Sequence, residues 1–394
     1  MAPQVTRTQV AIVGAGPAGL LLSHLLHRAG ISSVAIDNRT HTEIENTVRA
    51  GILERDSVRL LVGSGASERV LTEGSEHAGI ELAFGGGGHR IDFQDLVSAS
   101  VWLYPQTSVF VDLAAARCRD GGDVRFGVSD TEVDDLTTDS PVLRFTDADG
   151  TRHEVRAHYL VGADGSHSLC RRQIPDAARR QYFREYPFAW FGILCEAPPS
   201  APELIYSQSE RGFALISQRT ETVQRMYFQC DPDSDTEAWS SDRIWAELQA
   251  RLGANGFSLH EGPITEKTVL RFRSFVNEPM RYGSMLLAGD AAHTVPPTGA
   301  KGLNLALADV RLLAEALERA LARNDADALD EYSDRALARV WRAANFSYWM
   351  TSMLHRSPEM SEFDVRRQTA ELTTLSTSRA GRTFLAEGYT GWPA

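Results

Sequence analysis

The sequence predicts an α/β protein with mixed α+β parts, and three observations predict it. Four apolar residues, Val10-Ala11-Ile12-Val13, run into Gly14-Ala15-Gly16-Pro17-Ala18-Gly19 and then into an apolar helical stretch from Leu20 to His27. A second apolar run, Ser33-Val34-Ala35-Ile36, ends in Asp37, 18 positions after Gly19. Residues 186–230 are rich in aromatic and β-branched side chains, whereas residues 303–321 and 329–378 follow helical spacing. Strand, glycine turn, helix, strand and acid in that order make a Rossmann-like βαβ unit for a dinucleotide. Gly14 permits the tight turn, Gly16 removes a Cβ where a pyrophosphate approaches, and Gly19 lets helix and strand pack closely. The helix N-terminus holds the anion, and Asp37 accepts hydrogen bonds from a ribose hydroxyl.

At 394 residues the chain is too long for one ordinary core, so two or three packed units are expected. A net charge of −12 lacks the footprint of a nucleic-acid binder. An anionic small substrate therefore needs a local basic pocket against the global field. Cys118, Cys170, Cys195 and Cys230 form no Cys-x-x-Cys pair and sit at no metal-ligand spacing, which predicts reduced thiols and no metal. Met1 to Thr8 carries no apolar signal region, and no run is apolar and long enough to span a bilayer, so a cytoplasmic protein is expected.

Along the chain, apolar residues between Arg49 and Leu71, including Ile52 and Leu53, recur at helical spacing. Ile80–Phe84 and His89–Phe93 flank four glycines and read as a hairpin. Residues 107–160 read as strands and turns, with His153 to Val161 as one strand. Glu203–Ser207, Gly212–Ser217 and Arg225–Gln229 read as sheet, 240–252 as helix, and Ser284 to Asp290 as a strand running into a loop. Lys301 and the following Gly302-Leu303-Asn304 start a helix.

Asp164-Gly165 and Gly289-Asp290 each follow an apolar strand, where ligand-contacting loops of such a sheet lie. With the first glycine turn and Ala291-Ala292-His293 they resemble the aromatic flavoprotein monooxygenases. Arg49 to Glu54, Tyr186-Pro187-Phe188, Glu203 to Tyr206, Arg211 to Leu215, Ser217-Gln218-Arg219, Pro296 to Asn304 and Trp349 to Ser352 are similar to the hydroxybenzoate-hydroxylating members, over about residues 9–393. The resemblance implies FAD, reduced nicotinamide (NADH or NADPH) and O2. It also implies hydroxylation of 4-hydroxybenzoate to 3,4-dihydroxybenzoate through a flavin C4a-hydroperoxide. Related benzoates (4-aminobenzoate or 3,4-dihydroxybenzoate) and an uncoupled flavin NADH oxidase stay open as alternatives.

Arg219 offers a planar fork suited to a carboxylate, and Ser217, two positions earlier, shares its face in a strand. The resemblance makes Ser217, Arg219 and Tyr227 the substrate-carboxylate set and assigns Tyr206, Tyr389 and His77 to the phenol and its proton path. Histidine has an ordinary pKa near ~6.5, suited to that exchange. The resemblance also implies that the Pro297 carbonyl faces the reacting edge of the substrate. The resemblance further implies that Arg49, Gln106, Asp164, Asp290, Lys301, Leu303 and Asn304 join Gly14, Gly16, Gly19 and Asp37 around FAD. Swinging of the flavin ring is also implied.

His167, Arg273 and Arg49 match coenzyme contacts. Here the chain departs from the family pattern, because Asn38 and Glu43 stand where an arginine and a tyrosine favour the 2′-phosphate of NADPH. Arg39 offsets this in part, so NADH is expected to serve at least as well as NADPH. The resemblance divides the chain into a discontinuous FAD-binding domain (1–75, 101–180 and 270–345), a sheet-rich substrate domain (76–100 and 181–269) and a helical C-terminal region (346–394). In the helical C-terminal third, Trp341, Phe346, Trp349, Met350 and Met353 suggest a homodimer interface.

Overall fold

The computed structural model describes residues 3–47, 51–252 and 257–392. Its organising layer is a six-stranded sheet. Its order is Arg281–Tyr282, Met285–Leu287, Tyr159–Gly162, Val10–Val13, Ser33–Asp37, Asp123–Phe126, parallel except at the Arg281–Tyr282 edge. Parallel strands are buried on both faces, which is why Val10–Val13 and Met285–Leu287 read as unbroken apolar runs. Helices Pro17–Arg28 and Gly302–Arg323 pack together beside this sheet.

The second large layer is an eight-stranded sheet. It runs His293–Thr294, Ile264–Glu278, Arg180–Glu196, Val223–Cys230, Gly212–Gln218, Ile205–Ser209, Gly79–Phe84, Gly87–Asp92. Alternation along its strands sends Tyr206, Phe213, Leu215 and Tyr227 to one face and Ala214, Ile216, Met226 and Phe228 to the other. The first face is covered by helices Asp327–Leu354, Glu362–Thr377 and Arg379–Thr390, the second by Ser241–Leu252. The hairpin around Gly85 and Gly86 forms as expected, both glycines having positive φ.

Several expectations are corrected. Ile52–Glu54 is a strand paired with Val101–Leu103, because a three-residue strand is too short to show its own period. Gln106–Arg119 is a helix inside the stretch read as strands and turns. Its apolar positions Val109, Phe110, Leu113 and Ala116 have helical spacing, but two polar residues, Asp112 and Arg117, also turn inward. Asp112 accepts from Tyr104 Oη (2.7 Å) and Arg69 Nη1 (2.6 Å), and Arg117 Nε donates to Ser23 Oγ (3.0 Å), partners invisible to local pattern. The run His153 to Val161 splits into Arg152–Arg156 and Tyr159–Gly162, which belong to different sheets. Phe346, Met350 and Met353 are core, leaving Trp341 exposed and Trp349 partly buried. Among the described residues, no helix is long and apolar enough to cross a membrane.

Candidate active site

Four loops meet at the carboxyl ends of four adjacent parallel strands. Val13 leads into the glycine turn, Asp37 ends its strand, Gly162 leads into Asp164-Gly165, and Leu287 leads into Gly289-Asp290. Ala163 N donates to Val13 O (2.8 Å) and Ala288 N to Gly162 O (3.0 Å), so the loops are stitched to one another. This edge is where an open α/β sheet takes a nucleotide.

The three glycines differ in what they permit. Gly14 has φ +105, and a Cβ there would lie 2.2 Å from Ala163 O. A Cβ on Gly19 would lie 1.8 Å from Gly14 O, so close helix–strand contact requires glycine. A Cβ on Gly16 would meet no protein atom within 4 Å. Gly16 therefore borders a cradle at the start of helix Pro17–Arg28, and its residues carry no side-chain cap for the first-turn N–H groups. Asp37 Oδ2 accepts from Ala15 N (3.0 Å), tying the acid to this turn. A cradle, helix dipole and acid fit the pyrophosphate and ribose of a dinucleotide.

The neighbouring loops are braced from outside. Asp164 accepts from Ser168 Oγ (2.5 Å) and Cys170 N (3.1 Å). Asp290 sits in the turn Gly289–Ala291, whose Gly289 N donates to Asp309 Oδ2 (2.9 Å). The same oxygen lies 2.6 Å from His293 Nε2 in a fully buried pair. Burial lowers the His293 pKa, but Asp309 and Asp290 outweigh it and raise the pKa overall. Asp309 carries no motif signal of its own and was missed in the sequence.

Lys301 and Asn304 point inward. Lys301 Nζ donates to Glu54 Oε1 (2.6 Å) and to the Tyr389 carbonyl (2.9 Å). Burial pulls its pKa down against the opposing pull of Glu54. Asn304 Oδ1 accepts from Glu54 N (2.9 Å) and Ser57 Oγ (2.7 Å), and its Nδ2 donates to Ile52 O (2.8 Å) and Ala300 O (3.0 Å). Leu303 is half-buried beside them at the start of helix Gly302–Arg323, with Pro297 one short turn earlier. The Pro297 carbonyl accepts from Ala300 N (2.9 Å), which uses one of its lone pairs.

On the inner face of the eight-stranded sheet, Tyr206 and Tyr389 are both 1 % exposed, and their hydroxyls lie 2.7 Å apart. Burial raises both phenols above their usual range. Ser217 Oγ donates to Arg225 O (2.7 Å), and Tyr227 stands opposite Leu215 on the next strand. Arg219 lies just past the strand end, closes the turn through its N–H to Val223 O (2.8 Å), and reaches Thr107 Oγ1 (3.4 Å) beside Gln106. Burial and the neighbouring Arg225 lower its pKa. Arg225, missed in the sequence, is 9 % exposed, lies over the Tyr227 ring, and leaves Nε and Nη1 without a partner among the described residues. Two guanidinium groups thus concentrate positive charge at one corner, despite the acidic chain.

His77 is not bonded to either tyrosine; it meets Gln218. Its pKa is pulled down to about 4 by burial, with Glu203 opposing, rather than staying near the ordinary value. His167 is exposed and Arg273 half-buried opposite Glu185, so neither is drawn into the tyrosine site. Asn38, Arg39 and Glu43 lie beyond Asp37: Arg39 grips Asp37 through Nε and Nη2 (both 3.1 Å), and Glu43 caps helix His41–Glu45 with Thr40. Arg49 lies outside the described residues.

The geometry defines a dinucleotide-binding protein, and comparison with known proteins makes it a flavoprotein. The family model described as "FAD binding domain" matches residues 7–347. The chain is 43% identical over 392 residues to p-hydroxybenzoate hydroxylase of Acinetobacter baylyi, covering 99% of this chain and 96% of that one. It is 27% identical to a probable NADH-specific resorcinol 4-hydroxylase of Rhodococcus jostii, spanning 82% of this chain and 61% of that longer protein. The solved structure of p-nitrophenol 4-monooxygenase from Pseudomonas putida shares the fold at TM-score 0.82 and 20% identity, covering 99% of this chain and 100% of the other. The chain belongs to the FAD-binding aromatic hydroxylase family that includes p-hydroxybenzoate hydroxylase.

Proposed function

We propose that the protein hydroxylates 4-hydroxybenzoate at carbon 3, giving 3,4-dihydroxybenzoate at the expense of reduced nicotinamide and O2. The observation that carries this reading is the buried Tyr206–Tyr389 hydroxyl pair on the same sheet face as the Ser217, Arg219 and Tyr227 corner. Gly14, Gly16, Gly19, Asp37, Asp164 and Asp290 would hold FAD, which when reduced by nicotinamide would supply the activated oxygen. Arg219, with Ser217 and Tyr227, binds the substrate carboxylate and fixes the para hydroxyl toward Tyr206. Tyr206 takes the proton of that hydroxyl as its own hydroxyl proton passes to Tyr389, which releases one toward the outlet, leaving the substrate ring more electron-rich as a phenolate. Burial of both tyrosines excludes water, which would otherwise divert reduced oxygen to peroxide. His77 is the proposed outlet of the proton, Pro297 would line the reacting edge, and the N-terminus of helix Gly302–Arg323, with Lys301 held there by Glu54, would stabilise negative charge on the reduced cofactor.

The same division of labour assigns 1–75, 101–180 and 270–345 to FAD, 76–100 and 181–269 to substrate, and 346–394 to the cover and subunit contact. A cytoplasmic homodimer completes the reading. The free state of all four cysteines supports a reducing compartment. The test is product formed per nicotinamide oxidised. One 3,4-dihydroxybenzoate per nicotinamide is expected. Peroxide alone would make the protein an oxidase, and coupled turnover only with 4-aminobenzoate or 3,4-dihydroxybenzoate would reassign its substrate.

A further inference from the structure

His77 ends the strand Ser75–His77 at 1 % exposure, and its two ring nitrogens have unequal surroundings. Gln218 Nε2 lies 2.7 Å from His77 Nε2 and 3.3 Å from the Pro202 carbonyl. A carbonyl only accepts, so Pro202 orients the Gln218 amide with its NH2 toward both partners. An NH2 group only donates. His77 Nε2 is therefore the acceptor, and the proton of the neutral ring sits on Nδ1. Nδ1 is itself buried and has no protein partner among the described residues. Glu203, the carboxylate acting on this ring, is engaged by Arg90 through bonds of 2.7 and 3.0 Å.

We infer that Gln218 is a positioning residue that sets the tautomer of His77 and so decides which ring nitrogen takes a proton. This rests on the reading of His77 as the proton outlet. With its proton on Nδ1 the ring accepts only at Nε2, and the Gln218 amide covers that nitrogen. Half a turn of the amide presents Oε1 instead, favours the proton on Nε2, and opens Nδ1 as the acceptor, at the loss of the Pro202 bond. Each passage moves one proton onto one nitrogen and one off the other. The ring is left as the opposite tautomer, and it is restored when Nε2 releases its proton to water and Nδ1 takes one up from water, after which the amide NH2 again faces Nε2. Gln218 lies between Ser217 and Arg219, so carboxylate clamp and proton outlet share one strand end.

The test uses FAD-loaded enzyme labelled with 15N-histidine, with His77 resonances assigned by their loss in His77→Gln. The expected pattern is a pyridine-like shift at Nε2 and a pyrrole-like shift at Nδ1. Gln218→Glu replaces the donor with an acceptor and should reverse the pattern and raise the ring's pKa. Gln218→Leu should leave neither tautomer fixed. In parallel, stopped-flow absorbance of bound 4-hydroxybenzoate should show phenolate appearing at a rate altered several-fold in both variants. A pyrrole-like Nε2 in the unmodified enzyme, or a pattern unchanged in both variants, would overturn the inference. A reversed tautomer with an unchanged phenolate rate upholds it and instead removes His77 from the proton path.

Discussion

Arg219 and Arg225 illustrate what a single side chain decides. Arg219→Lys keeps the charge and loses the planar fork, and a charge-assisted bond contributes about 1.5–3 kcal/mol. Substrate affinity should therefore fall about tenfold to a hundredfold while FAD stays bound, read by titrating the flavin spectrum with 4-hydroxybenzoate. Unchanged affinity would shift the clamp to Arg225. Two buried histidines set a second residue-scale outcome. His355 accepts from Trp190 Nε1 (2.7 Å) and faces the Thr351 carbonyl (2.9 Å). Burial pulls its pKa to about 3 against the Thr351 bond, and pulls that of His77 to about 4, from an ordinary 6.5. Between those values and 6.5 the unfolded chain binds the extra protons, so stability rises with pH across the window. It is fully present above the unfolded pKa and lost as pH falls, by up to about 1.4 kcal/mol per pH unit for each histidine. His293, raised instead, is charged in both states below 6.5 and adds no slope there. Urea unfolding at several pH values should show this decline, and a profile flat above the carboxylate range would contradict it.

At the scale of the element, the glycine turn separates fold from cofactor. Gly16 has φ −71 and ψ −173, and an added Cβ touches no protein atom, so Gly16→Ala should fold with little change in Tm. It should nonetheless bind FAD far more weakly, because the methyl enters the cradle. Gly19→Ala forces helix and strand apart and should destabilise the chain itself. Equal FAD affinity in Gly16→Ala and the parent would move the pyrophosphate elsewhere. Helix His41–Glu45 carries the coenzyme prediction. Arg39 is engaged by Asp37, and the Thr40 backbone and hydroxyl bonds keep Glu43 ionised at a lowered pKa. A 2′-phosphate would thus meet an arginine compensated by Asp37 and the negative charge of the capping Glu43, so kcat/KM should favour NADH. Glu43→Gln retains the capping arrangement and removes the charge. It should move the ratio several-fold toward NADPH, and a ratio that does not move would show that this helix does not face the 2′ position.

Across the whole molecule, strands Arg180–Glu196 and Ile264–Glu278 form a long ribbon whose outer end is exposed. Tyr182 (41 %) lies on it beside Trp341 (41 %) of helix Asp327–Leu354, whose Tyr348 (40 %) meets Arg184, two positions beyond Tyr182, while Phe183 (59 %) points from the other face of the strand. The Tyr182 and Trp341 rings meet at 5.1 Å, so on this face of the ribbon Tyr182, Trp341 and Tyr348 form one patch. Sedimentation at micromolar concentration should give a homodimer, and Trp341→Asp should shift it toward monomer. A monomeric parent protein would reject this arrangement.

The sequence by itself determined the βαβ unit, the order of the motif loops and the family. These signals are local: glycine spacing, an apolar run and a terminal acid need no distant partner. Alternation likewise placed Ser217 and Tyr227 in neighbouring strands. Tertiary structure decided the rest. It brought Tyr206 against Tyr389, turned Lys301 onto Glu54, gave His77 to Gln218, and buried Arg225 beside Arg219. It also made a helix of Gln106–Arg119, whose inward Asp112 and Arg117 find partners on other elements. A buried polar group must be paired or pay its desolvation cost, and the pairing partner is chosen by packing between elements far apart in the chain. Periodicity within a single segment carries no record of that choice.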